Sequence, residues 1–175
     1  ELLKNYGVKK IVTTCPHCFN TIKNEYPQFG GEFEVIHHSQ FITQLMKEGR
    51  LKLTSRLNQR ITYHDPCYLG RHNDIYDPPR EVLTAIAKSD LVEMERNHWN
   101  SFCCGGGGGR FWVEEKQGKR ISDVRIEDVI KTNAEIVATA CPYCMQMLED
   151  SIKSKDAEES LKDLDIAELV AEAIK

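Results

Sequence analysis

The sequence predicts an α/β protein made of two pseudo-repeated modules, with mostly parallel strands flanked by helices and cysteines at the strand carboxyl ends. Three observations carry this expectation. Short runs of β-branched residues alternate with stretches of helical character along the 175 residues. A Cys-Pro-x-Cys unit follows such a run twice, at Cys15 and at Cys141, and opens a helical stretch each time. The connections between runs carry Pro, Gly and Asp in the places where chains turn.

The elements follow in order. Glu1 to Gly7 reads as the tail of a helix with Gly7 as its C-cap. A chain that starts inside a helix without Met suggests a fragment of a longer polypeptide. Val8 to Thr14 is a buried strand, and Pro16 suits the first turn of a helix reaching about Tyr26. Phe33 to His37 is a second strand. Ser39 then caps a helix whose apolar positions are Phe41, Ile42, Leu45 and Met46, closed by Gly49. Arg60 to His64 is a third strand, ending in the turn Asp65-Pro66-Cys67. A loop from Asn73 to Pro79 precedes a helix from Arg80 to Ala87, and Leu91 to Met94 is a fourth strand. Phe102-Cys103-Cys104 leads into five consecutive glycines, Gly105 to Gly109. Ile121 to Thr132 is helical, Glu135 to Ala140 is a fifth strand, and Pro142 opens another helix. A charged connection from Lys153 to Lys162 reaches a last helix capped by Asp165.

The two units Val12-Thr13-Thr14-Cys15-Pro16-His17-Cys18 and Ala138-Thr139-Ala140-Cys141-Pro142-Tyr143-Cys144 have the same layout 126 positions apart, and the same offset carries Ser39 onto Asp165. The period is too long for a solenoid. It divides the chain into residues 1–58, the last part of a first module, and residues 59–175, a complete second one.

A net charge of −4 argues against nucleic acid as the partner, and no apolar run approaches the ~18 residues of a membrane helix. Seven cysteines, with two adjacent and four in C-x-x-C pairs, suit a disulfide framework poorly. In a chain without an export signal they read as metal or redox thiols in a reducing, cytoplasmic compartment, with docking on the cytoplasmic face of a membrane subunit left open.

Iron–sulfur clusters take thiolate ligands, four or more from the protein. A C-x-x-C at a helix start sets two sulfurs near free amides and the positive end of the helix dipole, which favours thiolate. Strand ends share one edge of a parallel sheet, so three loops can deliver Cys67, Cys103, Cys104, Cys141 and Cys144 to a single point. The glycine run lets the backbone pass a bulky core and offers amides to it. It lacks the Lys-Ser/Thr of a phosphate loop. Zinc is the competing metal, but five candidate ligands exceed its tetrahedral four. Cys15 and Cys18 have no visible partner beyond each other and would serve a second cluster in a longer protein. His64, Asp65, Gly105 and Gly106 are candidates to surround the cluster with hydrogen bonds. His37, His38, His64 and His72 are candidate ligands, though packing or hydrogen bonding is the default for each. Arg71, Arg80, Arg110 and Arg125 are candidates to contact a substrate or balance cluster charge, with a surface or salt-bridge role as the default.

The spacing itself carries a resemblance: 35 residues separate Cys67 from Cys103, and 36 separate Cys104 from Cys141. With Tyr63 to Arg71 and Phe102 to Gly109, it is similar to the cysteine-rich CCG domain. That domain occurs in the B subunit of heterodisulfide reductase and in the iron–sulfur subunits of glycolate oxidase, lactate oxidation systems and anaerobic glycerol-3-phosphate dehydrogenase. The resemblance implies the C-terminal portion of a larger iron–sulfur oxidoreductase. Its five cysteines would bind a [4Fe-4S] cluster, noncubane by similarity to heterodisulfide reductase. Electrons would pass between a partner redox subunit, ferredoxin-like or flavoprotein, and a disulfide, flavoprotein or quinone acceptor. The rival reading is a zinc-stabilised docking module without redox activity.

Overall fold

A computed structural model of the chain describes residues 1–89, 91–113 and 118–174. Seven α-helices and five strands are defined among them: α1 Leu2–Asn5, β1 Lys10–Thr13, α2 Pro16–Asn20, β2 Glu34–His37, α3 His38–Lys47, β3 Ile61–Tyr63, α4 Asp77–Ile86, α5 Ile121–Lys131, β4 Ile136–Thr139, α6 Pro142–Ser154, β5 Lys162–Asp165 and α7 Ile166–Ala173. β1 and β2 pair in parallel, with Lys10 opposite Glu34. The larger sheet has the order β3-β4-β5, again parallel, with Ile61 opposite Ile136 and Thr139 opposite Asp165.

The larger sheet is covered on both faces. Ile136 and Ala138 of β4 face a core built with Leu83, Ile86, Leu169 and Val170, so α4 and α7 lie on that side. Val137 points the other way, toward Ile126, Val129, Leu148 and Ile152 of α5 and α6. This period-2 alternation within one buried strand fixes the register, because a one-residue slip would exchange the two sets. Phe19 and Ile42 join the first of these cores, so hydrophobic packing is continuous between the early and late parts of the chain.

The structure adjusts several expected elements. The helix from Pro16 continues to Phe29 only by changing type, through a π-turn at Thr21–Glu25 and a 3₁₀ turn at Tyr26–Phe29. Pro27 lacks an amide N–H and so can donate no helical hydrogen bond in that last turn, although Tyr26 before it keeps helical angles, φ −58° and ψ −32°. Ser39 is not the cap of α3. His37 is: its ring accepts from the Ser39 amide, while Gln40 Oε1 accepts from the His37 amide at 3.2 Å. Asp165 caps α7 by the same reciprocal box, with Ala167 N–H to Asp165 Oδ1 and Asp165 N–H to Glu168 Oε2 both at 2.8 Å. The true counterpart of Asp165 is thus His37, 128 positions earlier. The repeat survives with two more residues between its landmarks in the second copy.

Helix α4 begins at Asp77 rather than Arg80, since Pro78 and Pro79 fit a first turn whose amides need no partner. The expected strand at Leu91 to Met94 shrinks to one parallel bridge, Thr62 with Val92, held by the Val92 N–H to Ile61 O bond at 2.9 Å. Beyond it Glu93 turns out to bind Arg80 and Met94 drops into the core. Gly7, as expected, takes a left-handed φ of 64° just after α1.

Candidate metal centre

Three loops leave the carboxyl ends of parallel strands on one side of the molecule. The loop after β3 carries His64, Asp65 and Cys67, the turn after β4 carries Cys141, and Cys103-Cys104 arrive from the segment that follows the bridge at Val92. Their thiols are neighbours in series, each near enough to shift the ionisation of the next: Cys67 with Cys103, Cys103 with Cys104, Cys104 with Cys144, and Cys144 with Cys141. Cys104, Cys141 and Cys144 are buried with Met147, while Cys67 and Cys103 are half-buried.

This crowding sets the ionisation pattern. Cys103 falls to about 2, first through its neighbours Cys104 and Cys67 and, against burial, through the Gly105 N–H, which donates to its sulfur at 3.3 Å. Cys141 falls to about 5, through Cys144 first and, after the opposing effect of burial, through His17. The donors pay the reciprocal cost. Cys104 rises to about 12, chiefly because it donates to Cys103, and Cys67 and Cys144 also rise, each first through a neighbouring thiol. Five adjacent thiols cannot all ionise by themselves, and a polycation in their midst removes that conflict.

His64 belongs to the same site. Its ring nitrogen and the sulfurs of Cys104 and Cys144 lie within 4.8 Å of one another. Arg125, 0 % exposed, donates Nε–H to His64 Nδ1 at 3.0 Å, and its other donors reach the Arg96 carbonyl at 2.8 Å and Ser101 Oγ at 3.3 Å. A nitrogen that accepts from guanidinium carries no proton, so the proton of the neutral ring sits on Nε2. That atom is buried and has no partner among the described residues. Burial, and then the charge of Arg125, hold His64 down at about 3.

The remaining candidates separate by what they touch. The Asp65 carboxylate is gripped by Arg80 Nη1 and Nη2 at 2.7 and 2.9 Å and accepts from the His98 amide at 2.9 Å. Burial pushes its carboxyl up, but these contacts outweigh it and the net shift is downward. Arg71 donates to the carbonyls of Trp99 and Ser101, which staples the turn leading to Cys103. Arg80 is the salt-bridge residue that the sequence suggested, bound to Asp65 and Glu93 at 2.7 Å each, whereas Arg125 is not at the surface but fully buried within this frame. Gly105 and Gly106 are sites of close approach: a Cβ on Gly106 would lie 3.0 Å from Met147 Cγ and 3.7 Å from Cys104 Sγ. Of the histidines singled out in the sequence, His37 caps α3, His38 Nε2 pairs with Asp165 Oδ1 at 3.0 Å, and His72 stacks on Tyr68 at 4.2 Å.

Sequence reasoning missed His17. Its ring lies 3.9 Å from Cys15 Sγ, within hydrogen-bonding reach of Cys141, and 4.1 Å from the ring of Tyr68. Contacts with Cys141 and then Cys15 raise it to about 9. Cys15 and Cys18 are therefore not isolated, because Cys15 meets His17 and both feel the charge of Cys141. The one signal in the sequence was that His17 fills the place of Tyr143 in the repeated unit.

The donor set is soft, dense and largely dry. An orphaned imidazole N–H and a glycine cradle adjoin it, and these features fit a thiolate-ligated metal group. Fold and site together define a cysteine-rich α/β module whose strand ends converge on a thiol cluster. The cysteine-rich domain family, CCG, matches residues 1–23 and 61–149, and the chain belongs to this family. It is 49 % identical, over 99 % of its length, to a Bacillus subtilis protein called probable iron-sulfur-binding oxidoreductase FadF, of which it covers 24 %. It is 46 % identical over its full length to the EtfAB:quinone oxidoreductase of Syntrophomonas wolfei, covering 25 % of that protein. Identity to the D subunit of the dihydromethanophenazine:CoB--CoM heterodisulfide reductase of Methanosarcina mazei is 37 % over 99 % of the chain and 43 % of that subunit. The chain thus spans about a quarter of the first two relatives. Among the described residues no helix is long and apolar enough to cross a membrane.

Proposed function

We propose that this chain is the cluster-binding, electron-transferring part of a longer iron–sulfur oxidoreductase. Cys67, Cys103, Cys104, Cys141 and Cys144 hold one iron–sulfur cluster, a [4Fe-4S] centre of noncubane form. The observation that carries this reading is the convergence of three loops that bring five mutually perturbed thiols together, Cys104 and Cys144 within 4.8 Å of each other, with partly buried thiols at one end and dry ones at the other. Residues 59–175 form the complete module, and residues 1–58 are the end of a preceding one. Cys15 and Cys18 serve a second cluster in the longer protein.

The bound cluster supplies one-electron chemistry. The chain supplies its environment. Cys104, Cys141 and Cys144 exclude water from one side, and the Gly105 amide, 3.3 Å from Cys103 Sγ, spreads thiolate charge. Arg125 holds the His64 Nε2 proton toward the sulfurs. Cys67 and Cys103, being half-buried, form the side where electrons enter or leave. The partners are redox proteins or subunits, flavoprotein or ferredoxin-like, and the acceptor is a disulfide, a flavoprotein or a quinone. Relatives named EtfAB:quinone oxidoreductase and heterodisulfide reductase support the quinone and disulfide acceptors.

Iron, sulfide and zinc measured on one anaerobically prepared sample test the reading. Iron and sulfide together, an electron paramagnetic resonance signal and their loss in Cys104→Ser but not Cys15→Ser are expected. One zinc per chain without iron after reconstitution would overturn it, and equal loss of iron in both variants would overturn the division into modules.

A further inference from the structure

The cysteine set is approached from outside its own unit. His17 belongs to the first Cys-Pro-x-Cys turn, yet its ring lies against residues from the second part of the chain. Its centroid is 4.1 Å from that of Tyr68, the residue after Cys67, and 5.2 Å from that of Tyr143, between Cys141 and Cys144. Both neighbours are themselves fixed: Tyr68 stacks on His72 at 4.2 Å, and Tyr143 meets Phe111 edge-on at 5.5 Å. Three asparagines hold the two parts at this spacing. Asn73 donates to Asn20 Oδ1 at 3.0 Å and to the Tyr68 carbonyl at 2.7 Å, and Asn24 donates to Asn73 Oδ1 at 3.1 Å. Asn20 ends α2, the helix that Pro16 and His17 begin, and Asn24 lies one turn further on. Packing thus fixes where the imidazole sits.

Its nitrogens meet sulfur. Nδ1 is 3.9 Å from Cys15 Sγ, and the ring is within hydrogen-bonding reach of Cys141. Cys141 is 0 % exposed, so water does not solvate its sulfur. When the five thiols are deprotonated around a metal group, Cys144 has no S–H to offer its neighbour. The Cys144 amide and His17 are then the donors left to Cys141 among the described residues.

We infer that His17 is a positioning residue that sets the reduction potential of the cluster, by donating an N–H to the Cys141 ligand from the neighbouring unit. The inference rests on the cluster reading above and deepens it. A hydrogen bond to a ligand sulfur draws charge out of the metal–thiolate bonds. It stabilises the reduced cluster, which carries one more negative charge, more than the oxidised one, so the potential rises. An apolar ring in the same place would keep the packing against Tyr68 and Tyr143 and lower the potential.

The test compares wild type, His17→Phe and His17→Gln, each prepared anaerobically as the intact protein. Iron, sulfide and circular dichroism are measured first, and a dithionite titration is then followed by electron paramagnetic resonance. Equal iron and sulfide are expected in all three. His17→Phe keeps a ring but has no N–H, and its cluster should be about 10-fold harder to reduce at a fixed potential, a downward shift of ~59 mV for one electron. His17→Gln returns an N–H without the ring and should recover part of that shift. A role confined to packing predicts the opposite order, with His17→Phe like wild type and His17→Gln perturbed, and that result overturns the inference. So does a potential unchanged in both variants. Loss of iron from both would make His17 a structural support and overturn it as well. Absence of iron and sulfide from wild type is a different failure: it sinks the cluster reading itself, and this inference with it.

Discussion

Replacing Arg125 with Met tests the interior of the site most directly. The side chain is 0 % exposed, and its guanidinium serves His64 Nδ1, the Arg96 carbonyl and Ser101 Oγ at 3.0, 2.8 and 3.3 Å. It also stands 3.5 Å from Asp128, which keeps Arg96 at 2.6 Å as a second cation. Hydrogen bonds from a charged donor contribute ~1.5–3 kcal/mol each, and removing one member of a buried ionic group costs ~3–5 kcal/mol because its partners stay buried without it. The gross loss from three acceptors would exceed that range. Burial, however, already lowers the pKa of Arg125, so part of the gain is spent on desolvating its charge. A net destabilisation of ~3–5 kcal/mol is expected for Arg125→Met. Urea unfolding of wild type and variant in the same metal state measures it. Nitrogen NMR of His64 reads the second consequence: the wild-type ring is neutral with its proton on Nε2, and the variant loses that fixed tautomer. A stability change below ~1 kcal/mol, or a wild-type His64 protonated on Nδ1, would refute the account.

Three further outcomes follow from separate features. Asp163 has two buried carboxylate oxygens without a partner among the described residues, and burial first, then Glu149, Asp165 and Glu168, raise its pKa well above 3.8. A carboxyl raised in the folded state favours folding below the unfolded value and loses that contribution as pH rises through the folded one. Asp163→Asn should therefore stabilise the protein by ~1–2 kcal/mol at neutral pH and by little near pH 3.8, as read from urea midpoints; equal gains at both would sink the idea. Asp165→Ala removes the α7 cap and the His38 partner together and should cost ~1–2 kcal/mol, whereas Asp165→Asn retains most of the cap. Gly106→Ala puts a methyl 3.0 Å from Met147 Cγ and should lower iron retention, with partial recovery when Met147→Ala is added; unchanged iron in the single variant would show that the cradle has room to spare.

The sequence exposed the parts of the fold that depend on local pattern. β4 is buried along its whole length and reads as a strand at sight, and the prolines after Cys15 and Cys141 mark helix starts because a first turn needs no amide there. β5 was invisible. Lys162-Asp163-Leu164-Asp165 lies at a sheet edge, and strand formation there is imposed by pairing with β4 rather than by propensity. The cap at His37 was hidden for a related reason: serine is the commoner cap, but β2 extends to His37 and leaves Ser39 two residues too late. The cysteine set was legible because thiols at three strand ends leave a spacing signature. Arg125 and His17 were not, since their roles rest on contacts distant in sequence, His64 for Arg125 and Cys141 for His17, that no local pattern encodes.

The repeat also explains why His17 matters. His17 and Tyr143 occupy the same place in the duplicated unit, and their rings lie 5.2 Å apart in an edge-to-face arrangement, so the two Cys-Pro-x-Cys turns face each other. The caps that follow are joined in the same manner, with His38, one residue after the first cap, bound to Asp165, the second. Two such contacts across related elements hold the turns at one separation and leave little freedom for one to slide past the other. Equivalent positions then acquire different environments: Cys141 and Cys144 are buried, while Cys15 is half-buried and Cys18 exposed. An imidazole suits the first turn because it can bridge a thiol on its own side and one on the other, where a phenol in the second turn only packs. Both copies of the repeated unit carry the cysteine pair, and the residue between the cysteines, His17 in one and Tyr143 in the other, sets which of them reaches across.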